Sequence, residues 1–214
     1  ESRELLRALG VPVILSPSSA EAQASELVKQ GIADHVNSHD YDALLYGATS
    51  IIQNFSTSKK KDLVQVDLER NLKTLGVDRF QLIDLAILIG TDFFDGIEGI
   101  GAKNAYHLIK THGSLERVIL QEKANYDFSK LDPDTIQEVR KIFLFPDVQK
   151  TIPDLHWYPP DRARILELMT EDHTLSKTRV ESNLEKLIKN YQNCRKYHLN
   201  PNNQKKPAKL DAWF

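Results

Sequence analysis

The sequence lacks the features of a disulfide-bonded protein, a membrane-spanning protein or a protein with a glycine-rich nucleotide-binding loop. Cys194 is the single cysteine among 214 residues, so an intrachain disulfide is excluded and a reducing compartment is expected. No apolar run approaches the ~20 residues of a membrane span, because the run at 82–89 is short and contains Asp84. A glycine-rich nucleotide loop and a nucleophile elbow are also missing, which argues against a metabolic α/β enzyme.

The chain also lacks a large excess of positive or of negative charge. The formal net charge is −2, so the chain as a whole carries no basic excess that would point to nucleic acid. Hydrophobic residues make up 41% and charged residues 27%, which is typical of a globular protein and not of a disordered one. A local basic run, Lys59-Lys60-Lys61, is either a solvated loop or a DNA contact.

Strand and helix patterns alternate in the first part of the chain. Strand-like runs at 11–15, 33–37 and 50–55 are separated by helical patterns at 20–30 and 40–46, and residues 62–66 resemble an edge strand. This alternation predicts an α/β fold with a parallel sheet flanked by helices. Further helices are predicted at 2–9, 68–75, 80–89, 102–110, 114–121, 133–143, 162–169 and 176–191. Ligands of such sheets bind beyond the carboxyl ends of the strands, here at 15–20 and 37–42.

Four carboxylates are candidate metal ligands and catalytic residues: Glu21, Asp40, Asp42 and Asp92. Hydrolysis of a phosphodiester with two Mg²⁺ ions requires several carboxylates from separate elements, and such a cluster makes sense only with metal. Local structure offers an alternative for each of them. Asp40 and Asp42 suit a helix cap and first turn, Glu21 suits the first turn of a helix, and Asp92 suits a turn cap.

A glycine turn follows the apolar helix that ends at residue 89. Gly99 and Gly101 allow positive φ and close approach of the backbone to a ligand, and the helix after them opens with unpaired N–H groups. These groups and Lys103 suit a nucleic-acid phosphate. The alternative is an ordinary helix–turn–helix connection.

Three separated blocks resemble the flap endonuclease family, the structure-specific 5′ nucleases of the XPG type, and are closest to the archaeal form. They read SPSSAEAQA at 16–24, SHDYDALLYG at 38–47 and GTDFFDGIEGIGAKNA at 90–105. The resemblance implies a partial PIN-like nuclease domain with a helix–hairpin–helix element. It also implies hydrolysis of 5′-flap or nicked DNA with two Mg²⁺ ions, or Mn²⁺, and a location in an archaeal cytoplasm or a eukaryotic nucleus.

The same resemblance implies a role for each site residue. Glu21 and Asp40 would serve one metal, while Asp40, Asp42 and Asp92 would hold the other. The hairpin around Gly99 and Gly101 would grip duplex DNA, in this family often with a monovalent cation.

The chain departs from the family pattern at two places. Ser19 stands where the family has the first glutamate of its block, and a neutral hydroxyl is a poor Mg²⁺ ligand. The family's amino-terminal half is missing, and because the chain starts at Glu1 we expect a fragment, with that half upstream or on a separate chain. The expected division is 1–90 for the nuclease core, 91–199 for the hairpin region and 200–214 for a flexible tail. The rival hypothesis is a catalytically impaired, junction-binding module.

The last residues suit a protein contact. As one helical turn, Leu210, Trp213 and Phe214 would share a face that can fill an apolar pocket. This pattern resembles the sliding-clamp-binding peptide of archaeal flap endonucleases, with Pro207 in place of the usual glutamine. The alternative is that these aromatic side chains fold back on the core.

Overall fold

The computed structural model describes residues 1–55, 62–152 and 155–199. The candidates Lys59, Lys60 and Lys61, and the tail that contains Leu210, Trp213 and Phe214, lie outside these ranges. The helices are α1 (Ser2–Ala8), α2 (Ala20–Lys29), α3 (Asp42–Leu45), α4 (Leu68–Leu75), α5 (Arg79–Ile89), α6 (Ala102–His112), α7 (Leu115–Glu122), α8 (Pro133–Leu144), α9 (Arg162–Leu166) and α10 (Lys177–Leu199), and a π-helical turn covers Glu167–Asp172.

The sheet has three strands in the described residues: β1 (Val36–Asn37), β2 (Ser50–Gln53) and β3 (Val64–Asp67). Strands β1 and β2 pair in parallel, as the strand–helix–strand pattern predicted, with Val36 opposite Ile51. Strand β3 pairs antiparallel with β2, with Val66 opposite Ile51. The α/β class with helices around the sheet is confirmed, and the antiparallel edge strand is an addition that the pattern did not indicate.

The predicted strand at 11–15 is wrong, because no strand forms there. The backbone N–H of Val11 instead bonds to the carbonyl of Leu6 at 3.0 Å, which closes the end of α1. Val, Ile and Leu favour strands only where a neighbouring strand is available to pair with. The predicted strand at 33–37 also shortens, to Val36–Asn37.

Two compact units divide the chain. Of the described residues, those within 15–151 form the larger unit, and 1–14 with those between 152 and 199 form the smaller one. In the larger unit, helices α5 to α8 enclose one apolar core around Ile87, Ile109 and Phe143, and the sheet with α2 and α3 encloses a second around Ile51. The smaller unit packs α1, α9 and α10 around Ile165. The expected division of the chain at residues 90 and 199 stays a prediction.

A buried ion pair holds the helices of the larger core together. Asp84 of α5 is fully buried, and Arg140 of α8 bonds to both of its carboxylate oxygens at 2.8 Å. Arg140 also reaches Glu116 of α7 at 2.5 Å, so one guanidinium links three helices. Burial of Asp84 raises the pKa of its carboxyl, and the hydrogen bond from Arg140 opposes that rise. Removal of either Asp84 or Arg140 would therefore leave a buried charge without its partner.

Candidate metal centre

The first candidate carboxylate projects from the start of helix α2. Ser19 is the N-cap of this helix, and its Oγ accepts hydrogen bonds from the N–H groups of Glu21 at 3.2 Å and Ala22 at 3.4 Å. This cap is the arrangement that a serine before an alanine- and glutamate-rich run predicts. It fixes the backbone of Glu21 in the first turn, where a carboxylate is favoured by the helix dipole.

The next two carboxylates follow strand β1: Asp40 lies in the loop that leaves the strand, and Asp42 is the first residue of α3. The N–H of Asp42 donates to Asp40 Oδ1 at 3.0 Å, and the N–H of Asp40 donates to Ser38 Oγ at 3.0 Å. Two successive side-chain-to-backbone bonds thus shape the turn between β1 and α3. Tyr41, not Asp40, is the N-cap residue of α3 and makes no side-chain cap bond. Asp40 is therefore not the N-cap residue of α3, and its exposed side chain instead closes a turn onto the N–H of Asp42.

The fold brings Glu21, Asp40 and Asp42 together. One carboxylate oxygen from each lies within 4.8 Å of those of the other two, although the side chains come from two separate segments. Burial, and after it the charges of Asp40, Glu21 and Asp92, together raise the pKa of Asp42 to about 6. Like charges held this close repel one another, so the arrangement has a cost that a bound cation would remove.

Asp92 stands apart from the other three in its geometry. It lies just beyond α5, is exposed, and is close enough for its charge to act on Asp42. It is not a member of the cluster of three whose oxygens approach within 4.8 Å. Assignment of a metal to Asp40, Asp42 and Asp92 therefore stays a prediction.

The donor set fits a hard divalent cation. It offers carboxylate oxygens only, which Mg²⁺ and Mn²⁺ prefer, and it offers no sulfur or imidazole among the three clustered residues. Asp40 is exposed while Glu21 and Asp42 are half-buried, so one side of the cluster is open to solvent and to a ligand. Mg²⁺ commonly keeps several waters, and such an open site suits it.

Ser19 is held by the helix and by its neighbour. Besides capping α2 it shares a hydrogen bond with the hydroxyl of Tyr46, a buried residue at the end of α3. Burial raises the pKa of the Tyr46 hydroxyl, so this group stays protonated. Ser19 thus occupies the position beside Glu21 with a neutral, hydrogen-bonded hydroxyl and adds no negative charge.

In the glycine-rich loop between α5 and α6, the positive φ that the sequence allowed is found at Gly99 but not at Gly101, whose φ is −88°. Gly96 and Gly99 adopt φ values of +82° and +83°. A Cβ on Gly96 would lie 2.4 Å from the carbonyl oxygen of Ile89, so only glycine fits. The buried side chains of Ile97 and Ile100 anchor the loop, and the N–H of Ile97 bonds to the carbonyl of Leu88 at 2.9 Å.

The start of α6 presents free backbone donors. Gly101 is its N-cap residue and supplies no side-chain cap, so the first-turn N–H groups keep their donor capacity. Gly101 and Lys103 are exposed, and Lys103 makes no ion pair with any described residue. Gly99 is exposed too, and its carbonyl accepts a bond from Asn104 at 3.2 Å. These three candidates therefore lie on one short, accessible stretch.

Sequence reasoning missed two residues that shape this region. Ser38 donates to Glu21 Oε1 at 2.8 Å. A serine two residues before an aspartate is a turn pattern, and this signal could have identified Ser38 from the sequence. Arg79 of α5 donates to the carbonyls of Leu45 at 3.0 Å and Phe143 at 2.9 Å, which ties α3 to α8. No local pattern reveals Arg79, because its acceptors are 34 and 64 residues away.

Comparison with known proteins points to one group. The XPG I-region family matches residues 10–92. Flap endonuclease 1 of Sulfolobus acidocaldarius is 36% identical over 226 residues, which cover all of this chain and 62% of that relative. The solved flap endonuclease-1 of Methanococcus jannaschii is 33% identical with a TM-score of 0.73, covering 88% of this chain and 57% of that one.

A second solved structure is that of the catalytic core of Rad2 in complex with DNA substrate. It is 28% identical with a TM-score of 0.72, and the match covers 87% of this chain and 66% of that one. This chain spans between 55% and 62% of the length of the curated relatives that it matches. In the described ranges, none of the helices combines the length and apolar character that a membrane crossing requires.

Proposed function

Because the chain belongs to the flap endonuclease family of XPG-type nucleases, we propose that it contributes the metal-binding carboxylates of a DNA nuclease. The reaction would be hydrolysis of a phosphodiester in 5′-flap or nicked DNA, as a structure-specific endonuclease or 5′–3′ exonuclease. The observation that carries this proposal is the approach of Glu21, Asp40 and Asp42 to within 4.8 Å of one another. A bound cation would neutralise the repulsion between these like charges.

Glu21 and Asp40 would hold one divalent ion, and Asp40, Asp42 and Asp92 would hold the other. The ions would be Mg²⁺ or Mn²⁺, two per site. When bound, such ions stabilise negative charge on a phosphate and make an attacking water a stronger nucleophile. The chain itself contributes oriented carboxylate oxygens, of which Asp40 Oδ1 is held by the N–H of Asp42 at 3.0 Å.

DNA would be held by the loop that follows Asp92. The exposed backbone at Gly99 and Gly101 permits close approach of a phosphate, and Lys103 supplies a positive charge on the same stretch. A monovalent cation at this hairpin belongs to the same proposal. These contacts recognise the phosphate backbone, so they would position a duplex without reading its sequence. Lys59, Lys60 and Lys61 are proposed as additional phosphate contacts.

The tail would tether the protein to a sliding clamp. Leu210, Trp213 and Phe214 would form one apolar face on a helical turn and enter a pocket of the clamp. This part of the proposal rests on sequence alone.

A second candidate is a module that binds junctions without cutting them. Ser19 favours it, since the hydroxyl is engaged by the backbone of α2 and by Tyr46 and supplies no charge to the metal site. The number of negative charges at the site is then one fewer than a glutamate at this position would give. Binding through the hairpin does not depend on that charge.

One experiment separates the two candidates. Labelled 5′-flap DNA is incubated with Mg²⁺ and the full-length protein, either wild type or with Asp42→Asn or Ser19→Glu, and both cleavage and binding are measured. Cleavage by the wild type that Asp42→Asn lowers at least 100-fold supports the nuclease. Cleavage by Ser19→Glu alone identifies Ser19 as the residue that impairs catalysis. Retained binding with no cleavage by any variant would overturn the nuclease proposal and favour the binding module.

A further inference from the structure

Ser38 occupies a position between the two chain segments that supply the candidate metal ligands. It follows strand β1 directly, and its backbone N–H bonds to the carbonyl of Ile52 on β2 at 3.2 Å. The sheet therefore fixes the Ser38 backbone independently of the carboxylates. Its side chain is half-buried and points to the cluster.

The hydroxyl of Ser38 makes two hydrogen bonds with opposite roles. It accepts the N–H of Asp40 at 3.0 Å and donates its proton to Glu21 Oε1 at 2.8 Å. A hydroxyl has one proton to donate, so accepting from Asp40 leaves that proton for Glu21. Ser38 Oγ thus contacts both the Glu21 carboxylate and the Asp40 backbone, and these two candidate ligands must stay a fixed distance apart.

Glu21 needs such a restraint. Its backbone is fixed by the Ser19 cap, but its side chain has several rotatable bonds, and its charged neighbours Asp40 and Asp42 repel it. Without the bond from Ser38, rotamers that point away from the cluster would be favoured in the absence of a cation. A cation would then have to restore the ligand geometry on binding, and its affinity would fall.

We propose that Ser38 is a positioning residue that holds the Glu21 carboxylate in register with Asp40 for divalent-cation binding. This inference rests on the proposed metal site and names a residue outside its ligand set. Hydrogen-bonding partners of metal ligands typically change metal affinity 10- to 100-fold when they are removed. Ser38 adds no charge, so its removal would lower affinity and leave the number of bound ions unchanged.

The test is a titration with Mn²⁺ alone, without DNA, by calorimetry or by the electron paramagnetic resonance signal of free Mn²⁺. We expect Ser38→Ala to bind Mn²⁺ at least about 10-fold more weakly at unchanged stoichiometry. Ser38→Thr keeps the hydroxyl and should stay within about threefold of the wild type. Ser129→Ala is the control, because it removes an exposed serine hydroxyl elsewhere in the same unit and keeps the bond from the Ser129 N–H to Asp127 Oδ1 at 2.9 Å.

Glu21→Gln distinguishes failure of this inference from failure of the metal site. If Glu21→Gln binds at least 10-fold more weakly while Ser38→Ala stays within twofold of wild type, the role of Ser38 is refuted and the site stands. If the wild type binds no Mn²⁺, or Glu21→Gln binds as the wild type does, the site and this inference both fail. Thermal unfolding is measured in parallel. A large loss of melting temperature in Ser38→Ala that Ser38→Thr does not restore would show a structural role and overturn the proposal.

Discussion

Replacing Asp42 by asparagine should stabilise the metal-free protein at neutral pH. Burial and the charges of its neighbours raise the pKa of Asp42 from an ordinary value of 3.8 to about 6, a rise of about 2.2. At ~1.4 kcal/mol for each pKa unit, full conversion gives about 3 kcal/mol. Asp42 is only half-buried, and solvent screening reduces this to ~1–2 kcal/mol. Asparagine preserves the shape and removes the charge.

The gain has a defined pH dependence. Above about pH 6, Asp42 is ionised in both the folded and the unfolded chain, so the folded state bears the full repulsion. As the pH falls from about 6 to 3.8, the folded state takes up the proton first and the repulsion disappears. The stabilisation by asparagine should therefore be complete near pH 7.5, smaller near pH 5 and absent below 3.8.

Urea unfolding of both proteins in EDTA, at pH 7.5 and pH 5, measures this difference as a free energy of unfolding. Asp34→Asn serves as the control, because Asp34 is exposed and lies outside the cluster. An Asp42→Asn protein that is less stable than the wild type at pH 7.5 would refute the reasoning. A gain that is equal at both pH values would also refute it, because the gain would then have another cause than the charge.

Two further predictions concern the scaffold of the larger unit. Arg140→Met leaves the buried Asp84 without its partner and should lower the free energy of unfolding by about 3–5 kcal/mol. Asp84→Leu combined with Arg140→Met should restore most of that loss, because no buried charge then remains. Urea denaturation measures both variants, and a double variant as unstable as the single one would contradict the explanation. Gly96→Ala should cost about 2 kcal/mol or more, because a Cβ would meet the carbonyl oxygen of Ile89 at 2.4 Å, while Gly113→Ala, with open space at a similar φ of +85°, should cost only ~1 kcal/mol. Equal losses for the two glycine variants would show that the close contact is unimportant.

Features set by neighbours in the sequence were predictable. Ser18 or Ser19 before an alanine-rich run, Ser114 before α7 and Asp132 before Pro133 are predicted helix starts, and the structure has N-caps at Ser19, Ser114 and Asp132. Helix α4 begins and ends as predicted, at Leu68 and Leu75. Caps and turns depend on bonds between residues two to four positions apart, which backbone geometry brings together in any fold.

Features that depend on distant partners were decided by the tertiary structure. The run at 11–15 has strand-forming residues but no strand, because pairing requires a neighbour. Asp84 could be recognised as unusual in an apolar helix, but its partner Arg140 lies 56 residues away.

The candidate site combines both kinds of information. Local sequence patterns predict that Glu21, Asp40, Asp42 and Asp92 stand at turns and helix starts, where carboxylates also serve as caps. The packing of separate segments brings the first three within 4.8 Å of one another and places Asp92 near enough for its charge to raise the pKa of Asp42. The link from Ser38 to Glu21 likewise required α2 to lie against the β1 loop, since the two residues are 17 positions apart. Spacing along the chain fixes residues within a turn, whereas contacts between segments depend on how the apolar faces of helices and strands pack.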